Sequence, residues 1–243
     1  MPEIILDVKN LRKSYKKTSI LRGETKVYTA LDDISFKLSP NEVLGLIGHN
    51  GAGKTTLLKI LALLIKHDSG DILFNKIKKN ELSLVSSNER SFFWRLTLWE
   101  NLEFFYKLYG LNKEIEASEI TKSLLLMDLM KKKDTTFMAL SSGEKKRAMI
   151  SRSLIKKPKL ILFDEACNSL DLFSRENLMK IIKERIIGIE GTSVIWATHS
   201  LNELDDLCDK VLWLEKGRVK ELISKELVNN NFSDYIKSDL LSS

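Results

Sequence analysis

The sequence predicts an α/β fold with a helical subdomain inserted into it, on three observations. Short apolar runs at 43–47, 160–163 and 193–198 have the length and composition of buried strands, and helical spacing follows the first of them. Residues 4–8 and 34–38 read as further strands, the second alternating apolar and polar. The middle third, about 88–155, carries helical spacing and no β-pattern. This change from strand-rich to helix-only and back sets 88–155 apart as a unit inserted into a core made of 1–87 and 156–220. Residues 221–243 then form a tail with no assignable pattern.

In chain order, the strands at 4–8 and 34–38 flank a polar, glycine-bearing stretch, Lys16 to Lys26, that reads as a loop or hairpin tip. Tyr15 and Tyr28 beside it are both possible stacking platforms for an adenine ring, although a strand tyrosine commonly just packs on its neighbours. Ser39-Pro40-Asn41 marks a turn into the buried run Val43-Leu44-Gly45-Leu46-Ile47. The next residues are Gly48-His49-Asn50-Gly51-Ala52-Gly53-Lys54-Thr55, which fit the pattern G-x-x-x-x-G-K-[ST], and Thr56 continues into a helix read as 56–66. Glycines at 48, 51 and 53 let the backbone curl so that successive N–H groups and a helix N-terminus face an anion. Lys54 is placed to reach β- and γ-phosphates, and Thr55 to hold magnesium through its hydroxyl.

The helix is expected to stop near His67-Asp68-Ser69-Gly70, with a strand at 71–74 after it. Apolar positions 98, 102, 105, 108 and 109, then 115, 120, 124, 125 and 129, mark two helices, and Lys131-Lys132-Lys133 reads as a solvated helix end. Beyond Pro158 the run 160–163 delivers Asp164-Glu165 at the carboxyl end of a strand, where open α/β sheets bind ligands. There Asp164 can reach a loop-bound magnesium while Glu165 faces an attacking water. The run 193–198 delivers His199 to the same edge, as a candidate sensor of the γ-phosphate. Residues 211–214 with the Lys216-Gly217 turn supply one more strand.

At 243 residues and 43% hydrophobic, the chain can bury one large core, which excludes a disordered polymer. No run approaches the eighteen apolar residues of a membrane span, and Met1-Pro2-Glu3-Ile4 lacks the regions of a signal peptide, so a cytosolic chain is expected. Cys167 and Cys208 show no C-x-x-C or histidine cluster and read as buried, reduced thiols. The net charge of +6 favours polyanions: nucleotide, nucleic acid or an anionic leaflet. Aromatics interleaved to stack nucleic-acid bases are absent beside the lysine run.

One further motif separates this chain from other phosphate-loop ATPases. Leu140-Ser141-Ser142-Gly143-Glu144 resembles the LSGGQ signature of ABC-type ATPases, here written LSSGE. With Gly48 to Thr55, the 160–165 strand, Ser169-Leu170-Asp171 and Thr198-His199, the resemblance covers about residues 4–220 in the family's order. It implies a P-loop NTPase core with the helical subdomain and an N-terminal antiparallel β region. It also implies ATP and magnesium as cofactors, with a contact set of Gly48, His49, Asn50, Gly51, Ala52, Gly53, Lys54, Thr55, Thr56 and Asp171.

A second copy is implied, docked head to tail, so that Ser141, Ser142 and Gly143 of one chain cap the γ-phosphate held by the other. Among the aromatics the resemblance selects Tyr15 to stack the adenine, with Tyr28 second. Asn88 falls where the family has a glutamine that touches magnesium and the membrane subunit; asparagine is one methylene shorter, so its contact calls for a bridging water. The implied catalytic set is Glu165, His199 and Lys54, and the metal set Thr55, Asp164 and Asn88.

Residues 89–97 resemble ATPases of ABC-2-type exporters of drugs, lipids or polysaccharides. The expected protein is therefore an ATP-hydrolysing subunit, peripheral on the cytoplasmic face of the cell membrane, that drives a separate membrane-spanning permease. No nucleic-acid partner is expected. The alternative is a soluble ABC ATPase working on DNA, ribosomes or a cytosolic assembly. Against it stand the missing coiled-coil heptads and the single nucleotide motif.

Overall fold

The computed structural model describes residues 3–18, 25–86, 91–187, 189 and 191–242. Nine strands and seven α-helices are described: β1 Leu6–Thr18, β2 Thr25–Leu38, β3 Val43–Ile47, α1 Lys54–Leu61, β4 Ser69–Phe74, β5 Leu82–Ser86, α2 Leu98–Leu108, α3 Glu116–Leu126, α4 Ser142–Leu154, β6 Leu160–Asp164, α5 Leu172–Arg185, β7 Ser193–Ala197, α6 Leu201–Leu207, β8 Lys210–Glu215, β9 Arg218–Ser224 and α7 Phe232–Ser242. They build two sheets. The larger has the order β5-β6-β7-β3-β8-β9, parallel except for the antiparallel edge strand β9, and the smaller is an antiparallel β2-β1-β4.

The larger sheet is buried on both faces, which is why β3, β6 and β7 read as unbroken apolar runs. Side chains alternate across it with period two. Leu44, Leu46, Leu160, Leu162, Ile195, Leu212 and Leu214 point into a core shared with α1 and the antiparallel sheet. Their neighbours Val43, Ile47, Ile161, Phe163, Val194, Trp196, Val211 and Trp213 point into the other core, under the helices. The strand ends, fixed from both sides, form a rigid edge on which reactive groups can be held.

Several sequence expectations change here. The first helix stops at Leu61 rather than 66, because Leu63 turns left-handed at φ 58° and closes the helix with bonds from its own N–H to Ile60 O (2.9 Å) and from Leu64 N–H to Lys59 O (2.9 Å). Leucine does there what glycine usually does. Gly70 is not the stop; it lies inside β4 with φ 95°, against β1, where a Cβ would come within 2.5 Å of Asn10 O. The N-terminal strands run much further than 4–8 and 34–38, forming a long hairpin. The tail also has structure: β9 pairs with β8, and α7 buries Phe232 and Ile236 in the helical-side core. Between β5 and β6 the described residues hold α2, α3 and α4, with only an isolated bridge, Thr97 to Thr136, of β character. Among the described residues no helix is long and apolar enough to cross a membrane.

Candidate functional site

The turn between β3 and α1 brings the expected phosphate-binding residues, Gly48 to Thr55, to the carboxyl edge of the large sheet. Gly53 caps α1 in a left-handed conformation, φ 105°, and a Cβ there would meet Ala30 O at 2.6 Å, so only glycine lets β2 approach this closely. Behind the loop, Lys54 is almost fully buried, 5% exposed, and its ammonium donates to Gly48 O at 2.6 Å and His49 O at 3.3 Å. Burial pushes its pKa down, and the nearby carboxylates of Glu165 and Asp164 oppose that shift. A cation is thus fixed inside the loop by two of its carbonyl oxygens, where it can meet a polyanion.

Three other groups arrive at this edge from β6 and β7. The Thr55 hydroxyl donates to Asp164 Oδ1 at 3.1 Å. Burial raises the Asp164 carboxyl above its usual range, with the Thr55 hydroxyl acting the other way and Glu165 adding to the rise. A divalent cation would relieve this, and the pair offers the hard oxygen donors that magnesium takes. No group of three or more His, Cys, Asp or Glu set to hold a metal lies among the described residues.

Glu165 follows Asp164 in a left-handed conformation unusual for a non-glycine residue, φ 55°, and its N–H is tied to Ala197 O at 3.1 Å. His199 Nε2 lies 2.6 Å from Glu165 Oε1 and 3.4 Å from Lys54 Nζ. That nitrogen donates to Glu165 when it carries the proton and accepts from Lys54 when it does not. The loop bearing His199 is held from inside: buried Glu203 accepts from Trp196 Nε1 at 2.9 Å and Thr198 Oγ1 at 2.6 Å, and Thr198 Oγ1 accepts from Ser200 N–H at 3.0 Å. Glu203 was not singled out in the sequence; a glutamate six residues past a strand end resembles any surface helix acid.

A cavity of about 230 Å³ opens over the loop, lined by Asn50, Gly51, Gly53, Lys54, Thr55, Thr56, Glu165, Ala30 and Tyr28. A second, of about 290 Å³, adjoins it along His49 to Ala52, Glu215, Lys216, Thr29 and again Tyr28. The two candidate aromatics are placed differently. Tyr28 donates from its hydroxyl to Gly51 O at 2.9 Å and lines both cavities, whereas Tyr15 lines neither and has the Lys13 ammonium 5.5 Å from its ring centroid. The two tyrosines are direct partners in the β1–β2 ladder, so the hairpin register, with its irregularities between Val8 and Ser14, decides which one reaches the loop. We expect Tyr28→Ala to weaken ATP binding by about 1–3 kcal/mol, with Tyr15→Ala much milder. Isothermal titration with a non-hydrolysed ATP analogue measures this, and a larger loss in Tyr15→Ala reverses the assignment.

Ser141, Ser142, Gly143 and Asp171 lie apart from these cavities. Ser141 caps α4: its hydroxyl accepts from Glu144 N–H at 3.2 Å while Glu144 Oε2 accepts from Ser141 N–H at 2.9 Å. The glutamate that replaces the family's glutamine thus completes a capping box. Burial would raise the Glu144 carboxyl, but the Ser141 N–H and the Lys132 ammonium hold it below the ordinary value. Ser142 is exposed and Gly143 half-buried, and neither lines the cavities at the phosphate loop of the same chain. Asp171 caps α5 by accepting from Ser174 N–H at 3.0 Å. Asn88 lies outside the described residues. Both cysteines are buried and free, and burial pushes the Cys167 thiol up to about 12.

Comparison with known proteins gives this arrangement a context. Residues 31–168 match the family model described as ABC transporter. An uncharacterized ABC transporter ATP-binding protein of Bacillus subtilis, YdbJ, is 32% identical over 233 residues, covering 92% of this chain and 70% of its own. The ABC transporter ATP-binding protein NatA of the same organism is 33% identical over 209 residues, covering 82% of this chain and 83% of its own. Among solved structures, cbiO1 of Clostridium perfringens, part of the ABC transporter complex cbiONQ, superposes with a TM-score of 0.80 at 25% identity, over 98% of this chain and 95% of that one. A dimeric ATP-binding cassette in a post-hydrolysis state with ADP and phosphate shares the fold, with a TM-score of 0.75 at 22% identity over 90% of this chain and 98% of that one.

Proposed function

Since the chain belongs to the ABC transporter family, as an ATP-binding and ATP-hydrolysing subunit, we propose that it drives export through a separate membrane-spanning partner. The observation that carries the chemistry is the meeting of Lys54, Thr55, Asp164, Glu165 and His199 at one sheet edge. Lys54 and the loop N–H groups hold the β- and γ-phosphates, and Thr55 with Asp164 holds magnesium, which screens the charge on the phosphates. Glu165 orients the attacking water and takes its proton, and His199 keeps that carboxylate and the γ-phosphate aligned.

In our reading Ser141–Gly143 cap the γ-phosphate of a second copy, head to tail. Their separation from the phosphate loop of their own chain supports this, as do the exposed Ser142 and the donors of a helix N-terminus. The membrane partner docks on the segment that follows β5. Phe93, Trp94, Phe104 and Leu108 are 41–65% exposed there, with Phe93 and Phe104 ring centroids 4.7 Å apart. Trp94 also carries the Lys145 ammonium 4.8 Å from its ring, which connects the patch to the helix that bears the signature. A push on this patch moves the γ-phosphate cap, which is the coupling a transporter needs.

Export is favoured by the exporter-like stretch that ends in Phe92-Phe93-Trp94-Arg95-Leu96-Thr97. The names of relatives point both ways: a linearmycin resistance ATP-binding protein is 31% identical and a methionine import ATP-binding protein 29%. The test is recovery of the tagged chain from detergent-solubilised membranes, followed by transport in vesicles reconstituted with the co-purified partner. A partner with several apolar spans should be retained, lost in Phe93→Asp with Trp94→Asp while ATP binding persists, and should move cargo away from the ATP side. Recovery with a soluble assembly, or movement toward the ATP side, contradicts the proposal.

A further inference from the structure

We propose that Asn168 is a positioning residue for Glu165, fixing the plane of its carboxylate before water is attacked; this rests on the reading of Glu165 as the group that handles water. The torsion that turns a glutamate carboxylate about its last bond is broad and nearly two-fold, so one hydrogen bond leaves the oxygens poorly placed. Glu165 has two, from two different loops. His199 Nε2 meets Oε1 at 2.6 Å, and the Asn168 side-chain amide donates to Oε2. Together they hold both oxygens in one orientation over the cavity that contains Lys54 and Thr55.

The amide is not needed to build the turn it sits in. Backbone bonds already close that turn, Asn168 N–H to Glu165 O at 3.1 Å and Leu170 N–H to Cys167 O at 3.4 Å. Buried Ala166, Cys167 and Leu170 anchor it to the core. What the side chain adds is its bond to the carboxylate. The turn then leads through the Asp171 cap into α5, whose Ser174 Oγ lies where a Cβ on Gly143 would meet it at 3.2 Å. The turn that carries the carboxylate thereby leads to a helix packed closely at the start of the signature helix in the same chain. Asn168 thus sets the angle of attack without touching nucleotide.

The experiment is steady-state ATP hydrolysis by the full chain with magnesium. It compares wild type, Asn168→Ala, Asn168→Leu, which keeps the shape without the donor, Glu165→Gln, and Glu165→Gln combined with Asn168→Ala. Both Asn168 variants should lose roughly tenfold in kcat with KM for ATP within about twofold of wild type. On the Glu165→Gln background the same change should cost almost nothing, because the group it positions has already been altered. Wild-type kcat in Asn168→Leu, or an equal loss on both backgrounds, overturns the assignment. A slow Glu165→Gln beside a normal Asn168→Ala overturns it alone, whereas a normal rate in Glu165→Gln removes the reading of Glu165 on which it stands.

Discussion

Replacing Lys54 by alanine should abolish ATP binding at concentrations that saturate the wild type. Its ammonium is fixed inside the loop by Gly48 O and His49 O, and both Asp164 and Glu165 lie close enough to act on it. Without it the phosphates would face two carboxylates with no lysine between them. The loss of a charge-assisted contact in a site this enclosed is worth about 3 kcal/mol or more, a hundredfold or greater in affinity. The variant should still fold, since the loop is shaped by its glycines and by β2 packed against Gly53 rather than by the lysine. Nucleotide titration monitored by calorimetry, with circular dichroism for the fold, decides it. An affinity within tenfold of wild type would mean that the triphosphate is held elsewhere.

The parts of this protein that were legible in the sequence are those where one local pattern has one physical meaning. Buried strands such as β3, β6 and β7 are short and apolar but for Asp164 at the end of β6 and Ser193 at the start of β7, so the sheet edge and the groups at it could be read directly. The glycines, Lys54 and Thr55 fall in a spacing with one chemical reading, a loop that cradles an anion. What escaped depends on partners distant in the chain. Whether Tyr15 or Tyr28 meets the phosphate loop follows from the register of a bulged hairpin, which no local pattern encodes. The end of α1 escaped because Leu63 takes the left-handed position without a glycine to announce it. In the tail, Phe232 and Ile236 are four apart, as a helix face requires, but two apolar positions in a polar stretch carry too little signal, and it is α6 that gives α7 its place, with Asp205 accepting from Ser233 N–H at 3.2 Å. Glu203 and Asn168 are ordinary residues by type; only the fold shows that they bond to Trp196 and Thr198 and to Glu165.

The central claim is that one chain's phosphate loop and another's signature helix share an ATP that Glu165 helps to destroy. Glu165→Gln keeps the side chain's size and its contacts with Asn168 and His199 within reach, while removing the carboxylate that takes the proton. Bound ATP then persists and adds its binding free energy to association, so the dimer accumulates as long as nucleotide is in excess. Wild type, which consumes the shared ATP, should return to monomers. Adding Ser142→Arg places a bulky cation at an exposed position of the cap, outside the fold's core, and should block association without emptying the phosphate loop. The measurement is light scattering of Glu165→Gln with ATP and magnesium, without them, and with Ser142→Arg added. The account predicts twice the monomer mass only in the first case; monomer at saturating ATP in Glu165→Gln, or a dimer that survives Ser142→Arg, contradicts it.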